Sequence, residues 1–499
     1  MNLSNIILKG SRYFPDHEAI VFEGQRLTYS ELNTAVDIVA YYLRDLGINP
    51  QDRVALYCEN RPEWVMLYYG IIRLGAAVVC VSSAYRRTEL EYLLKDSQPA
   101  CVITSEELAA HIPPREMLPD VKDVVVLERE ETLSGLCSKA RKDAVAPFPV
   151  QDCDADAPCL ILYTGGTTGV PKGAMLTHKN ILYTAQNVCY NERTNSEDRG
   201  LCFLPLNHVF AGNHIMNSLL YSAGTLILHK GFDMDEIISS IEVNKITRLY
   251  AVPTVYIRFL NNPDCYPRLR SVGYSFSAAT SMPAEIVRQW HRTFGLNIHE
   301  AYGMTESSSL VTFNHLYRHK IGSVGTPAGI VEVRIADQDG SPVPDGEEGE
   351  IFISGPNVMK GYYNRPDETA TALAGGWLHS GDVGRIDEDG YLHIVDRLKD
   401  MIISGGLNVY PTEVENVLYL HEAVEECAVV GLAHDEYGEA VAAFVHLKQG
   451  TAVTEDELKL FCKNHMASYK APKKVFFVED FPRTPQGKLL KRELRNHSL

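Results

Sequence analysis

Tyr163-Thr-Gly-Gly-Thr-Thr-Gly-Val-Pro-Lys-Gly173 is the stretch on which the reading of this chain turns. Glycines at 165, 166 and 169 remove the Cβ atoms that would keep backbone N–H groups away from phosphate oxygens, and Thr164, Thr167 and Thr168 add hydroxyl donors. Lys172 adds a point charge. Together they make a cradle for a polyphosphate and point to ATP. The lysine follows Gly169 by three positions and precedes Gly173, so the spacing is not Gly-x-x-x-x-Gly-Lys-Ser/Thr, and a Walker-type NTPase is disfavoured. The apolar run Cys159-Leu-Ile-Leu162 predicts a buried strand before the loop. Thr177 caps an amphipathic segment carrying Ile181, Leu182, Ala185 and Val188, so the loop is expected to join strand to helix.

Outward from this loop, the N-terminal side alternates helical and strand patterns. Leu32, Val36, Val39, Leu43 and Leu46 share one helical face from Ser30 until Gly47. Then come a strand over 53–58, a helix over 62–74, a strand over 77–81, a helix over 88–94 and a strand over 101–104. Such alternation implies a parallel sheet with helices on its faces. After about residue 323, Gly, Pro, Asp and Glu punctuate shorter strands, which suits hairpin-connected antiparallel structure. Beyond the charged knot Asp396-Arg-Leu-Lys-Asp400, helices near 413–420 and 455–464 and strands near 427–430, 440–446 and 475–478 outline a small α+β unit. The expected fold is therefore α/β. A large N-terminal domain of layered α/β sheets with a small antiparallel β subdomain spans 1–397, and a small α+β domain spans 398–499.

With 499 residues the chain is too long for one ordinary core. A net charge of −17 argues against bulk binding to nucleic acid or to an anionic membrane, although Lys463, Lys470, Lys473, Lys474, Arg483, Lys488, Lys491, Arg492 and Arg495 make the C-terminal end basic and suited to local anion contact. Eleven cysteines without a Cys-x-x-Cys pair read as reduced, buried small hydrophobes of a cytoplasmic protein. The apolar stretch around Gly70 to Val81 is interrupted by Arg73 and is too short to span a bilayer.

The loop at 163–173 resembles the phosphate loop of the adenylate-forming superfamily, which comprises acyl-CoA synthetases, luciferases and peptide-synthetase adenylation domains. Further motifs agree in order from Thr28 to Arg492. Tyr302-Gly-Met-Thr-Glu-Ser307 is similar to the second core motif. The resemblance implies that Tyr302 and Gly303 lie against adenine, that Thr305 meets the α-phosphate and that Glu306, with Thr167, holds Mg²⁺. Carboxylate and hydroxyl oxygens are the hard donors this ion takes. Trp377-Leu-His-Ser-Gly-Asp382 resembles the motif whose aspartate binds the ribose hydroxyls, Arg397 the arginine that meets the ribose, and Lys399 the hinge, which implies that the C-terminal domain is mobile. Pro485-Gln-Gly-Lys488 resembles the last motif, whose lysine bridges the substrate carboxylate and the α-phosphate. Pro205-Leu-Asn-His-Val-Phe210 resembles the opening of the acyl pocket, which implies that His208, Val209 and Phe210 line it. Ser277, Ala278 and Ala279 match the stretch beside adenine and the acyl site, and Gly405-Gly406 the passage for a pantetheine arm.

The chain departs from the frequent pattern at Ala278, Ser281 and Asn207. Gly166 stands where serine is more frequent, a form similar to that of fatty acyl-CoA synthetases. The activity implied is an ATP-dependent, Mg²⁺-requiring acid–thiol ligase that makes an acyl-adenylate and then an acyl-CoA. Its acid is apolar, because no acidic residue falls between His208 and Met216, and a fatty acid is expected, with an aryl acid as the alternative. An acyl carrier protein is the alternative acceptor to CoA. A nucleotide-binding regulator without turnover is disfavoured by Lys488, Glu306 and Asp382.

Overall fold

Pro62–Leu74 forms the helix that its sequence predicts. Proline in the first turn loses no needed N–H, and Gly75 closes the last turn at φ 88°, where a side chain would be strained. Every residue of this helix except Glu63 is buried, so it is an interior layer and not a surface helix with one apolar stripe. It packs on the strands Arg53–Tyr57 and Ala77–Cys80 and against the helix Tyr29–Asp45, whose first turn is closed by a Thr28–Glu31 capping box. The computed structural model describes residues 1–142, 145–164, 171–278, 280, 282–337, 339–398, 400–404, 407–434, 437–483 and 489–497.

Arg73 is the exception to the apolar character of this layer. Its guanidinium is almost fully buried, pairs with the equally buried Asp37 and donates to Asn33 Oδ1 at 2.9 Å. Asp37 Oδ1 also accepts the Phe148 N–H at 3.1 Å. Removing one member leaves the other charge uncompensated, so Arg73→Met is expected to cost about 3–5 kcal/mol, read by urea denaturation.

Two seven-stranded sheets organise the large N-terminal part among the described residues. In the first the order is Ile298–Glu300, Tyr274–Ser277, Arg248–Ala251, Arg199–Cys202, Thr225–Leu228, Glu18–Phe22 and Gln25–Thr28, parallel except at the last edge. In the second it is Gly361–Tyr362, Lys172–Thr177, Pro158–Thr164, Ala77–Cys80, Arg53–Tyr57, Cys101–Thr104 and Asp123–Val126. Fully buried runs such as Ala77-Val-Val-Cys80 are what strands covered on both faces require. One expectation is corrected here: the glycine–threonine loop does not join strand to helix. Pro158–Thr164 pairs antiparallel with Lys172–Thr177, Thr164 opposite Lys172, and only then does Thr177 cap the helix His178–Glu192.

The strands Glu332–Ala336, Gly349–Ser354, Leu378–Ile386 and Leu392–Arg397 form the antiparallel subdomain. Beyond it, a five-stranded sheet built on Val424–His434 and Gly438–Leu447 carries the helices Pro411–Leu418 and Glu455–His465. The buried apolar clusters divide accordingly: those of the first part run no further than Leu392, and those of the second begin at Ile402. Asp396 Oδ2 accepts the Thr412 N–H at 3.0 Å, and Asn261 Nδ2 donates to Glu425 Oε1 at 3.0 Å across the two parts. All eleven cysteines are free thiols. No helix among the described residues is long and apolar enough to cross a membrane.

Candidate active site

Parallel strands Tyr274–Ser277 and Ile298–Glu300 end side by side, with Ser277 opposite Glu300, and the second runs directly into Tyr302-Gly-Met-Thr-Glu306. Arg199–Cys202, in the same parallel set, leads at that end to Pro205-Leu-Asn-His208. Crevices beyond the carboxyl ends of parallel strands are where open α/β sheets bind ligands.

Thr305–Ser307 is a single 3₁₀ turn followed by Ser308 and Ser309 at φ 56° and 89°, a strained conformation for residues that carry a Cβ. Its surroundings hold it. Asn213 Nδ2 donates to Ser308 O at 2.7 Å, Asn357 Nδ2 donates to Leu310 O at 2.8 Å, and Met359 N–H donates to Glu306 O at 2.8 Å. Gly303 has no alternative, since a Cβ there would lie 1.9 Å from Ser309 O.

Two acidic side chains meet this segment, Glu306 from the turn itself and Asp382 from the strand Leu378–Ile386. Glu306 Oε1 accepts the Tyr362 hydroxyl at 2.9 Å and the Thr164 hydroxyl at 3.4 Å. Lys172 Nζ stands 5.4 Å from the ring centroid of Tyr362, so one described end of the glycine–threonine loop meets Glu306 and the other meets its partner Tyr362. On the other side the Tyr302 hydroxyl donates to Asp382 Oδ2 at 2.6 Å, and Arg397 Nε lies 3.2 Å from Asp382 Oδ1. Burial, and then the Asp382 charge, push the Tyr302 phenol well above its ordinary range, which keeps it a donor. Asp382 and Arg397 meet because they are register partners on adjacent strands.

Profiles of the AMP-binding enzyme and of the AMP-binding enzyme C-terminal domain match residues 9–363 and 413–488. The chain belongs to the AMP-binding enzyme family. It is 38% identical to a feruloyl-CoA synthase of Amycolatopsis sp over 98% of this chain and 97% of that one. It is 35% identical to the long-chain-fatty-acid–CoA ligase of Bacillus subtilis (strain 168), over 99% and 94%. The crystal structure of ATP-bound MatB from Rhodopseudomonas palustris superposes with a TM-score of 0.91 at 32% identity, covering 99% of each chain.

In this AMP-binding enzyme the motif residues anticipated from sequence fall into one region. Thr305 and Glu306 form the turn, Tyr302 and Gly303 lead into it, Thr164, Lys172, Asp382 and Arg397 flank it, and Ser277 closes the neighbouring strand with Ala278 after it. Ser277 Oγ is buried without a hydrogen-bond partner. His208 Nδ1 accepts the Phe210 N–H at 3.3 Å, and Val209 and Phe210 are buried beside it. Gly165, Gly166, Thr167, Thr168, Gly169, Ala279, Lys399, Gly405, Gly406 and Lys488 lie outside the described residues. Among the described residues no three metal-ligating side chains cluster, so a divalent cation would have Glu306 as its protein carboxylate and take its remaining oxygens from phosphate and water. Mg²⁺, which keeps several waters and binds through one or two carboxylates, fits that donor set.

Glu300 was not singled out from sequence. It is fully enclosed, Oε1 has no hydrogen-bond partner, and burial pushes its carboxyl up to about 8. An unfolded glutamate titrates near about 4.3, so the folded chain holds a proton that the unfolded chain releases. The stabilisation is complete below that value and is lost as the pH climbs through about 8. Glu300→Gln cannot ionise. Its Tm is therefore expected to gain on the parent's between roughly pH 5 and roughly pH 9 in nucleotide-free thermal denaturation, and parallel curves would contradict the burial argument.

Proposed function

We propose that this AMP-binding enzyme is an acid–thiol ligase working in two half-reactions. A carboxylate oxygen attacks the α-phosphorus of ATP, expelling pyrophosphate and leaving an acyl-adenylate. The thiol of CoA then attacks the acyl carbon, forming the thioester and releasing AMP and the thiol proton. The observation that carries this reading is the convergence of Thr164, Lys172 and Glu306 on one side of Tyr302-Gly303 and of Asp382 and Arg397 on the other. A polyphosphate and a ribose are gripped by such groups at opposite ends of one nucleotide. The CoA ligases among its relatives support the same reaction.

In this reading Thr164, Thr167, Thr168 and the glycines between them cradle the phosphates, with Lys172 beside them. Thr305 meets the α-phosphate and Glu306 holds Mg²⁺. Tyr302 orients Asp382 toward the ribose hydroxyls. Lys488 bridges carboxylate and α-phosphate, and Gly405-Gly406 admit the pantetheine arm. The domain boundary at 397/398, with Lys399 as hinge, is supported by the division of the apolar cores between Leu392 and Ile402.

The acid is apolar. A fatty acid is the finer reading of Val209, Phe210, Ile215 and Met216, and the Bacillus subtilis relative supports it. An aryl acid is favoured by a specific observation, the layer of aromatic rings behind Phe210. A panel of carboxylic acids scored for pyrophosphate release, alone, with CoA and with an acyl carrier protein, tests the whole scheme. ATP consumption that never depends on an added acid would sink it.

A further inference from the structure

Three elements meet at the two described ends of the glycine–threonine loop. The helix Arg87–Ser97 brings Tyr92 and Asp96, the strand Pro158–Thr164 brings Tyr163, and Arg365 follows the short strand Gly361–Tyr362. The Tyr163 hydroxyl donates to Asp96 Oδ2 at 2.7 Å, and Arg365 Nη2 donates to the other oxygen, Oδ1. Arg365 Nη2 also donates to the Tyr92 hydroxyl at 3.3 Å, and that hydroxyl donates to Pro171 O at 2.9 Å. Tyr163 immediately precedes Thr164, and Pro171 immediately precedes Lys172. One chain of contacts centred on Asp96 therefore ties both ends to the same helix.

The Asp96 side chain is only 8% exposed, so its charge depends on these partners and not on water. A well-packed apolar cluster would fill the same space without the desolvation penalty of a buried carboxylate. What the ionic arrangement adds is direction, because charge-assisted hydrogen bonds are short and geometrically selective. Burial, and then the bond to Asp96, push the Tyr163 phenol well above its ordinary range, which keeps it a donor.

The same brace reaches Glu306. Tyr362, three residues before Arg365, donates to Glu306 Oε1 at 2.9 Å, while the Lys360 and Tyr363 N–H groups donate to Met175 O at 2.9 Å and Gly173 O at 2.8 Å. Gly361–Tyr362 is thus fixed along the edge of Lys172–Thr177. Building on the ligase reading, we propose that Asp96 is a positioning residue: through Tyr163, Arg365 and Tyr92 it sets where Thr164 and Lys172 stand relative to Glu306, and so how the departing pyrophosphate of ATP is seated.

The test uses the full chain and reads four quantities in each variant beside its Tm: acid-dependent pyrophosphate release, thioester formation from supplied acyl-adenylate and CoA, and calorimetric affinity for ATP with Mg²⁺ and for AMP. Asp96→Asn is expected to lower kcat/KM for pyrophosphate release about 100-fold, the cost of misplacing a reacting group by about 1 Å. Tyr163→Phe, which loses one hydrogen bond to a charged group, should lower it about tenfold, and ATP affinity should fall in both. AMP and the acyl-adenylate lack the two outer phosphates, so AMP affinity and thioester formation should stay within about twofold. Arg365→Lys keeps a cation beside Asp96 but not the fork that also reaches Tyr92, and should fall between the parent and Arg365→Met.

Equal losses for ATP and AMP, or in the two half-reactions, would make the brace merely structural and overturn the proposal. Unchanged ATP affinity and pyrophosphate release in Asp96→Asn would overturn it too. Should Asp96→Asn not fold, Tyr163→Phe decides by the same comparison. A parent chain that releases no pyrophosphate with any acid strikes the ligase reading, and the ATP-against-AMP titration then decides the role of Asp96 by itself. A parent chain that does not bind ATP overturns both.

Discussion

Lys488→Ala is expected to slow pyrophosphate release by about 100- to 1,000-fold, the range seen when one preorganised donor is removed from developing negative charge. Thioester formation from supplied acyl-adenylate should fall far less. The asymmetry follows from charge. In the first half-reaction a carboxylate approaches a phosphate, two anions that must be brought into line, and a cation between them stabilises the transition state more than the separated ground state. In the second the electrophile already carries the adenylate and the attacking thiol brings no such pairing. The residues on either side of 484–488 are well anchored. Arg483 and Leu489 form an antiparallel bridge, Leu490 N–H donates to Pro482 O at 2.8 Å, and Leu489 packs on the cluster of Ala428, Phe444 and Phe481. Loss of the ammonium should therefore remove a charge and leave the small unit folded. The check is to measure both half-reactions on one preparation, and equal losses in the two would contradict the assignment.

The elements that sequence places well are those whose signals are local. Pro62–Leu74 carries its start in a proline and its stop in Gly75, and the structure ends it where those residues say. The strand Lys172–Thr177 was missed for the opposite reason: six residues after a glycine-rich loop, ending on a helix cap, offer no periodicity long enough to tell a returning strand from the run-up to a helix. Sheet order is not local either. Glu18–Phe22 pairs with Thr225–Leu228 because the chain returns there after building most of the second sheet, and nothing in either pentad or tetrad announces the other. Motif residues were legible through their order along the chain. The residues that hold the motif turn, Asn213 and Asn357, were not. Each is a single buried asparagine serving backbone carbonyls, and in sequence a lone asparagine reads as loop polarity. Glu300 left a faint signal, a carboxylate closing the strand Ile298–Glu300 just before Tyr302.

Asp382→Asn is expected to raise KM for ATP about 100-fold while changing kcat less than about tenfold, the pattern of an interaction made equally in ground and transition states. Both carboxylate oxygens already have partners: Oδ2 takes the Tyr302 hydroxyl at 2.6 Å and Oδ1 faces Arg397 Nε at 3.2 Å. Those two contacts leave lone pairs for the ribose hydroxyls and fix the direction in which they point. An amide keeps the size but loses the charge and turns one acceptor into a donor, so either the Tyr302 contact or a ribose contact must be given up. Two hydrogen bonds to a charged group, at about 1.5–3 kcal/mol each, cover the expected change. Tyr302→Phe should lose only the orienting contact and raise KM for ATP by roughly tenfold. Because Tyr302 and Asp382 touch, the effects should not add, and the double variant should resemble Asp382→Asn alone. Additive losses would mean that Tyr302 contributes independently of the carboxylate. An unchanged KM for ATP in Asp382→Asn would remove the ribose from this side of the site and with it the orientation proposed for the nucleotide.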